Sequence, residues 1–104
     1  MIDVAKIEQS EVIKGYKVRF VHTANSTLAF WKVEKGAILP MHSHMHEQTT
    51  QVLEGKYELT IGVDTQVYTS GFVAVIPSNV LHGGVALTDC ILFDIFCPVR
   101  EDYK

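Results

Sequence analysis

The stretch "PMHSHMHEQ", residues 40 to 48, sets His42, His44 and His46 at alternate positions and then places Gln48 after them. Imidazole nitrogens and an amide oxygen are donors that a divalent transition metal accepts, although a carboxylate would ordinarily complete such a group. Side chains at i and i+2 of a strand point the same way, about 6.7 Å apart along it. His42 and His44 therefore reach toward one ion from the end of one strand. Gln48 lies too far along for a straight strand, so Met45, His46 and Glu47 are expected to turn the chain and let Gln48 open the next strand facing back.

A second block, "GFVAVIPSNVLHGG" from residue 71 to 84, runs as strand, proline turn and His82. Taken singly, each of these histidines has a plain reading: His82 as a loop residue, His42 and His44 as a solvated strand end. His46 either replaces Gln48 as a ligand, walls the pocket or faces solvent, and His22, alone in a polar strand, reads as structural. A third block, "LFDIFCPVRED", residues 92 to 102, breaks an apolar run with Asp94. A carboxylate there is costly unless paired or used. Strand parity puts Leu92, Asp94 and Phe96 on one face, and Arg100 follows Pro98, able to fold over a barrel mouth. The plainer alternative places Asp94 at an edge or subunit contact and Arg100 in a surface ion pair.

The elements that must hold these residues are short. Runs of β type ("YKVRFVHT", "TLAFWKVE", "TTQVLE", "KYELTIG", "QVYT", "FVAVI", "CILFDIF") alternate with turn signals at Gly15, Asn25-Ser26, Lys35-Gly36, Gly55, Gly62 to Asp64, Ser70-Gly71, Pro77 to Asn79 and Gly83-Gly84. That punctuation predicts an all-β sandwich or barrel. Residues 3 to 12 have room for a turn or two of helix, and no segment sustains a helical period. With 104 residues, 47% hydrophobic and 20% charged, residues 1–104 read as one globular domain. A net charge of −3 without any Lys/Arg cluster argues against nucleic acid. The longest apolar runs are too short to cross a bilayer. Asp3, Lys6 and Glu8 stand where a signal peptide needs apolar residues, so the expected location is cytoplasmic. Cys90 and Cys97 share one strand, roughly 20 Å apart when extended, beyond the limit of about 7 Å for a disulfide. "FVAVI" and "CILFDIF" are apolar on both faces, which predicts a covered outer face and hence a homodimer.

Gly36 to Gly55 reads G-x5-H-x-H-x3-Q-x6-G, and Gly71 to His82 reads G-x5-P-x-N-x2-H. These blocks resemble the two motifs of the cupin family, with Gln48 in place of the usual Glu, Asn79 in place of Gly, and Ala86 where an Asn often follows. The resemblance implies a jelly-roll β-barrel holding a divalent metal on His42, His44, Gln48 and His82. The D-x-F-x-P-x-R ending, with "VLHGGVAL" and "KGAILPMHSH", is similar to the small cupins of pectin and alginate breakdown, which linearise 4,5-unsaturated monouronates. That likeness implies Asp94 as proton shuttle, Arg100 as the grip on a small acidic sugar and Phe96 as a face for its ring.

The glutamine shapes the expected chemistry. Three neutral imidazoles and an amide leave the ion's double charge uncompensated, which favours an anionic ligand. Gln48 takes no proton, so it is a poor general base. Nickel, zinc, iron, cobalt and manganese all suit such donors. The arrangement points to a polarised acidic substrate and an isomerase-type ring opening. A metal-dependent dioxygenase and a sugar-binding cupin without turnover are the alternatives from other classes.

Overall fold

The computed structural model describes residues 1–104. Its ten strands are β1 (Ser10–Ile13), β2 (Tyr16–His22), β3 (Thr27–Val33), β4 (Ile38–His42), β5 (Glu47–Glu54), β6 (Tyr57–Ile61), β7 (Asp64–Tyr68), β8 (Val73–Ile76), β9 (His82–Ala86) and β10 (Cys90–Cys97). A six-stranded sheet, ordered β1-β2-β3-β10-β5-β8, faces a four-stranded sheet, ordered β4-β9-β6-β7. Every paired strand runs antiparallel to its neighbour. This is the all-β jelly roll that the residue pattern predicts.

Side-chain alternation decides what fills the space between the sheets. On β3, Thr27, Ala29, Trp31 and Val33 point inward; on β10, Cys90, Leu92, Asp94 and Phe96 do. Val18, Val52, Ala74 and Ile76 join them from the large sheet, and Tyr57, Leu59 and Ala86 oppose them from the small one. Each fully buried aliphatic side chain of this size is worth about 1.5–3 kcal/mol. At one end of this interior the apolar filling gives way to Gln48, Thr50, His82 and Asp94, all buried.

Strand pairing sorts the interior into tiers. Phe96 pairs with Thr27 and Gln48, Asp94 with Ala29 and Thr50, and Leu92 with Trp31 and Val52. On the facing sheet His82 pairs with His42 and Ile61, while Gly84 pairs with Leu39 and Leu59.

Several expectations need correction. Residues 3 to 12 hold only a 3-10 turn at Val4–Lys6, capped by the Asp3 carboxylate on the Ala5 N–H, and then enter β1. β1 escapes the periodicity because three of its four residues are exposed. Gly83 and Gly84 are not a turn; they lie inside β9. A Cβ on Gly84 would come within 2.5 Å of the Tyr57 ring, and one on Gly83 within 2.7 Å of the Leu39 carbonyl. Close approach to those neighbours, not backbone reversal, explains the pair. His44 lies beyond the end of β4 in the loop leading to β5, so strand parity does not relate it to His42.

Cys90 and Cys97 occupy opposite ends of β10 and both are free. The outward faces of β8 and β10 are apolar as read: Val73 and Val75 are more than half exposed, and the half-buried Phe93 lies beside Phe30, 5.0 Å between ring centres. No helix is long and apolar enough to cross a membrane.

Candidate metal centre

Two loops build the site. The chain leaves β4 after His42, turns through Met45 and His46, and re-enters a strand at Glu47. The backbone N–H of Asn79 donates to the His44 carbonyl at 2.8 Å, and the Ser78 hydroxyl donates to the carbonyl of Met45. The two histidine-bearing blocks are thereby tied together. Asn79 sits at φ 65°, a left-handed conformation that Asn tolerates, and the motif glycines Gly36, Gly55 and Gly71 are at φ 85°, 91° and 97°.

His42, His44 and His82 converge, with one ring nitrogen from each lying within 4.8 Å of the others. The remaining nitrogen of each is occupied. Nδ1 donates to a backbone carbonyl in all three: His42 to Pro40 at 2.8 Å, His44 to His46 at 3.0 Å, and His82 to Val80 at 3.0 Å. A neutral imidazole with its proton on Nδ1 presents a bare lone pair at Nε2, which is how outer hydrogen bonds orient metal-binding histidines.

Burial disfavours the charged form of His44 and His82. Desolvation, with the charges of Arg100 and His82, lowers His44 to about 4. Desolvation also lowers His82, reinforced by His42 and Arg100. His82 Nε2 is buried and has no hydrogen-bond partner.

Gln48 completes the set. Its Nε2 donates to Thr50 Oγ1 at 3.0 Å, which turns Oε1 toward His44 Nε2, also 3.0 Å away. With the His44 proton on Nδ1, two acceptors face each other. A cation between their lone pairs resolves that conflict, and it also satisfies the orphaned nitrogen of His82. The four predicted donors therefore fit a divalent metal. His46 is not among them: its carbonyl holds His44, and its ring lies beside that of His44 at 5.6 Å. His22 is structural, with Nδ1 2.8 Å from Thr27 Oγ1.

A cavity of about 310 Å³ runs from these donors into the barrel, lined also by Asp94, Phe96 and Arg100. Asp94 is 6% exposed and faces inward, not toward an edge or a subunit contact. Burial raises its carboxyl to about 6, against the opposing pull of Thr50, Trp31, Gln48 and Arg100. Its Oδ1 has no partner. Phe96 sets its ring edge-on to His44 at 5.7 Å.

Arg100 is buried between aromatic faces, its guanidinium carbon 4.7 Å from the Phe96 ring centre and 4.1 Å from that of Tyr103. Its backbone N–H donates to Thr27 Oγ1 at 2.8 Å. The two-pronged edge expected to grip substrate is engaged by Asp102, Nε to Oδ1 at 3.0 Å and Nη2 to Oδ2 at 2.8 Å.

The cavity also contains residues the sequence reading did not single out: Tyr16, Trp31, Thr50, Tyr57 and Tyr103. Parity alone flags Trp31 and Thr50, since each shares the inward face of its strand with a neighbour two residues away. Tyr103 carries no such signal, because it follows the last strand in a 3-10 turn.

The cupin-domain family model matches residues 29–96, and the chain belongs to that family. Over 71 residues it is 34% identical to the pectin degradation protein KdgF of Dickeya dadantii, a match covering 66% of this chain and 64% of that protein. The match thus spans slightly less than two thirds of that relative's length. Among solved structures, an RmlC-like cupin from Shewanella frigidimarina superposes with a TM-score of 0.91 at 30% identity, covering 96% of this chain and 91% of the other. KdgF from Halomonas sp. superposes with a TM-score of 0.90 at 27% identity, covering 96% and 94%. The chain is a small cupin similar to KdgF.

Proposed function

We propose that this cupin opens and ketonises 4,5-unsaturated monouronates, the products of polysaccharide lyases acting on pectin or alginate. The observation that carries the reading is Asp94: a buried carboxyl with an unpartnered oxygen, on the wall of a cavity that also holds the histidine cluster and Arg100. The likeness to KdgF supports it.

A divalent cation on His42, His44, His82 and Gln48 would supply Lewis-acid stabilisation of negative charge on substrate oxygens. Nickel, zinc, iron, cobalt and manganese all fit that donor set. The chain's own groups do the rest. Opening the ring takes a proton from the anomeric hydroxyl as the bond to the ring oxygen breaks, and ketonisation adds a proton at carbon 4. The net change is an isomerisation. Asp94 serves both transfers, since a carboxyl near 6 accepts and releases protons readily around neutrality. Arg100 draws in the substrate carboxylate, its charge already felt by His44 and His82. Phe96 offers a ring face at the mouth.

Metal-loaded protein mixed with unsaturated galacturonate should abolish the double bond's ultraviolet absorbance, with loss of the effect on chelation. No change in absorbance with any of the five metals sinks the reading. The exposed Val73 and Val75, with the half-buried Phe93 on the same sheet, support pairing with a second copy of the chain. A sedimentation mass of one chain at micromolar concentration excludes that pairing.

A further inference from the structure

The cavity changes character with depth. At the mouth its wall carries the histidine rings, Gln48 and Arg100; one strand tier down stand Asp94 and Thr50. Two tiers down it reaches Trp31 and Leu92, with Leu39 and Leu59 contributed by the facing sheet. Trp31 lies four residues along β3 from Thr27, the neighbour of Phe96, so this floor is about 13 Å below the mouth. Trp31 points inward from a strand inside the sheet and is still 8% exposed, so the cavity extends to its ring.

The floor offers carbon. Trp31 Nε1 is shut away from the cavity, and so is Asp94 Oδ1 on the neighbouring strand. Tyr16 donates its hydroxyl proton to the Ala37 carbonyl at 3.2 Å, which leaves Tyr57 as the donor in the 2.8 Å contact between the two tyrosines. Both of those protons are therefore used within the protein. What faces the lower cavity is indole, phenol and leucine carbon.

Such a surface discriminates between ligands. A sugar hydroxyl lowered onto it loses its water partners and gains none, which is costly. A hydrocarbon group gains by leaving water. An apolar cavity about half the size of this one, at about 310 Å³, stays dry and takes benzene. The mouth has the opposite preference, because Arg100 and a cation on the neutral histidines both attract an anion.

We propose that this cupin binds small carboxylates carrying an aryl or compact alkyl body, with the acid head at Arg100 and the histidine cluster and the body on the floor against Trp31, Leu59 and Leu92. The inference goes beyond the uronate reading, which calls on no group below Asp94.

Trp31 is the chain's single tryptophan, so its emission reports on the floor. Zinc-loaded full-length protein is titrated by calorimetry with propanoate and with 3-phenylpropanoate. Trp31 fluorescence is then followed with 3-phenylpropanoate and with 3-(4-bromophenyl)propanoate, whose bromine quenches an indole at contact range. 3-Phenylpropanoate should bind about 10–100-fold tighter than propanoate, the gain expected from burying a phenyl ring. At saturation the bromo acid should quench Trp31 far more than the unsubstituted acid does.

Equal affinities for propanoate and 3-phenylpropanoate overturn the floor pocket. Binding of the bromo acid with no more quenching than the unsubstituted acid also overturns it, because the ring then lies elsewhere. Neither measurement uses unsaturated galacturonate. Absence of its turnover removes the proposed reaction and leaves the floor pocket standing; absence of the phenyl preference or of the quenching does the reverse.

Discussion

The two ends of the cavity are built on opposite principles. At the mouth, each histidine has one nitrogen bound to a backbone carbonyl, so its ring orientation is fixed before anything binds. Deeper in, around Asp94 and Trp31, polar atoms are buried without partners. The mouth gathers side chains from strand ends at His42, Gln48 and His82 and from one loop at His44; the interior is organised by strand parity. Three bare imidazole nitrogens gathered in the first way suit an ion. Atoms left bare in the second way carry a cost in stability that the surrounding packing must offset.

Substitutions separate the two ends. The largest effect is expected from Asp94→Asn: turnover of unsaturated galacturonate should fall by about 10²–10⁴, while metal content by elemental analysis stays level. Metal loss in that variant would merge the two ends into one unit. Next comes the Arg100–Asp102 pair at the rim. Arg100→Gln should raise KM by roughly 10–100-fold through loss of a charged hydrogen bond. Asp102→Ala should move KM the other way, by up to about fivefold, since the exposed Asp102 competes with substrate for the guanidinium. An increase in KM on removing Asp102 would mean that it orients Arg100 instead.

Gly84→Ala probes the packing between the two regions. Its Cβ meets the Tyr57 ring at 2.5 Å and the Glu58 carbonyl at 2.7 Å. The variant should lose about 1–3 kcal/mol, read as a lower melting temperature. The smallest effect is in pH. His44 is depressed to about 4, so in metal-free protein the unfolded chain binds its proton more tightly, and stability falls as pH drops from about 6.5 toward 4. Asp94 is raised to about 6, so its stabilising contribution grows as pH drops from about 6 toward 3.8. The two oppose each other. Asp94→Asn should therefore lose stability more steeply on acidification than the unaltered protein, as followed by melting temperature between pH 7 and 4. An unchanged slope would mean that Asp94 is not desolvated in solution.

Much of this was legible in residues alone. Short β-type runs marked seven strands and parity placed Asp94 and Phe96 on one face, and fixed spacings singled out His42, His44 and His82, whose rings converge, and Gln48, whose amide oxygen lies beside His44. β1 was not legible, because an edge strand with exposed side chains has no apolar face to alternate. The glycine pair in β9 misled for a related reason: close packing and backbone reversal both favour the smallest residue, and only the neighbour shows which applies.

Local order along the chain, through strand period, turn chemistry and motif spacing, determined the fold class and marked the two histidine-bearing blocks, since each of these depends on residues near one another in sequence. What the folded barrel decided is pairing at a distance. Asp102 engages Arg100 from the final turn, and Trp31 comes to rest diagonal to Asp94 across two strands some sixty residues apart in the chain. No local pattern encodes which side chains meet across a barrel, because register and sheet order set those encounters.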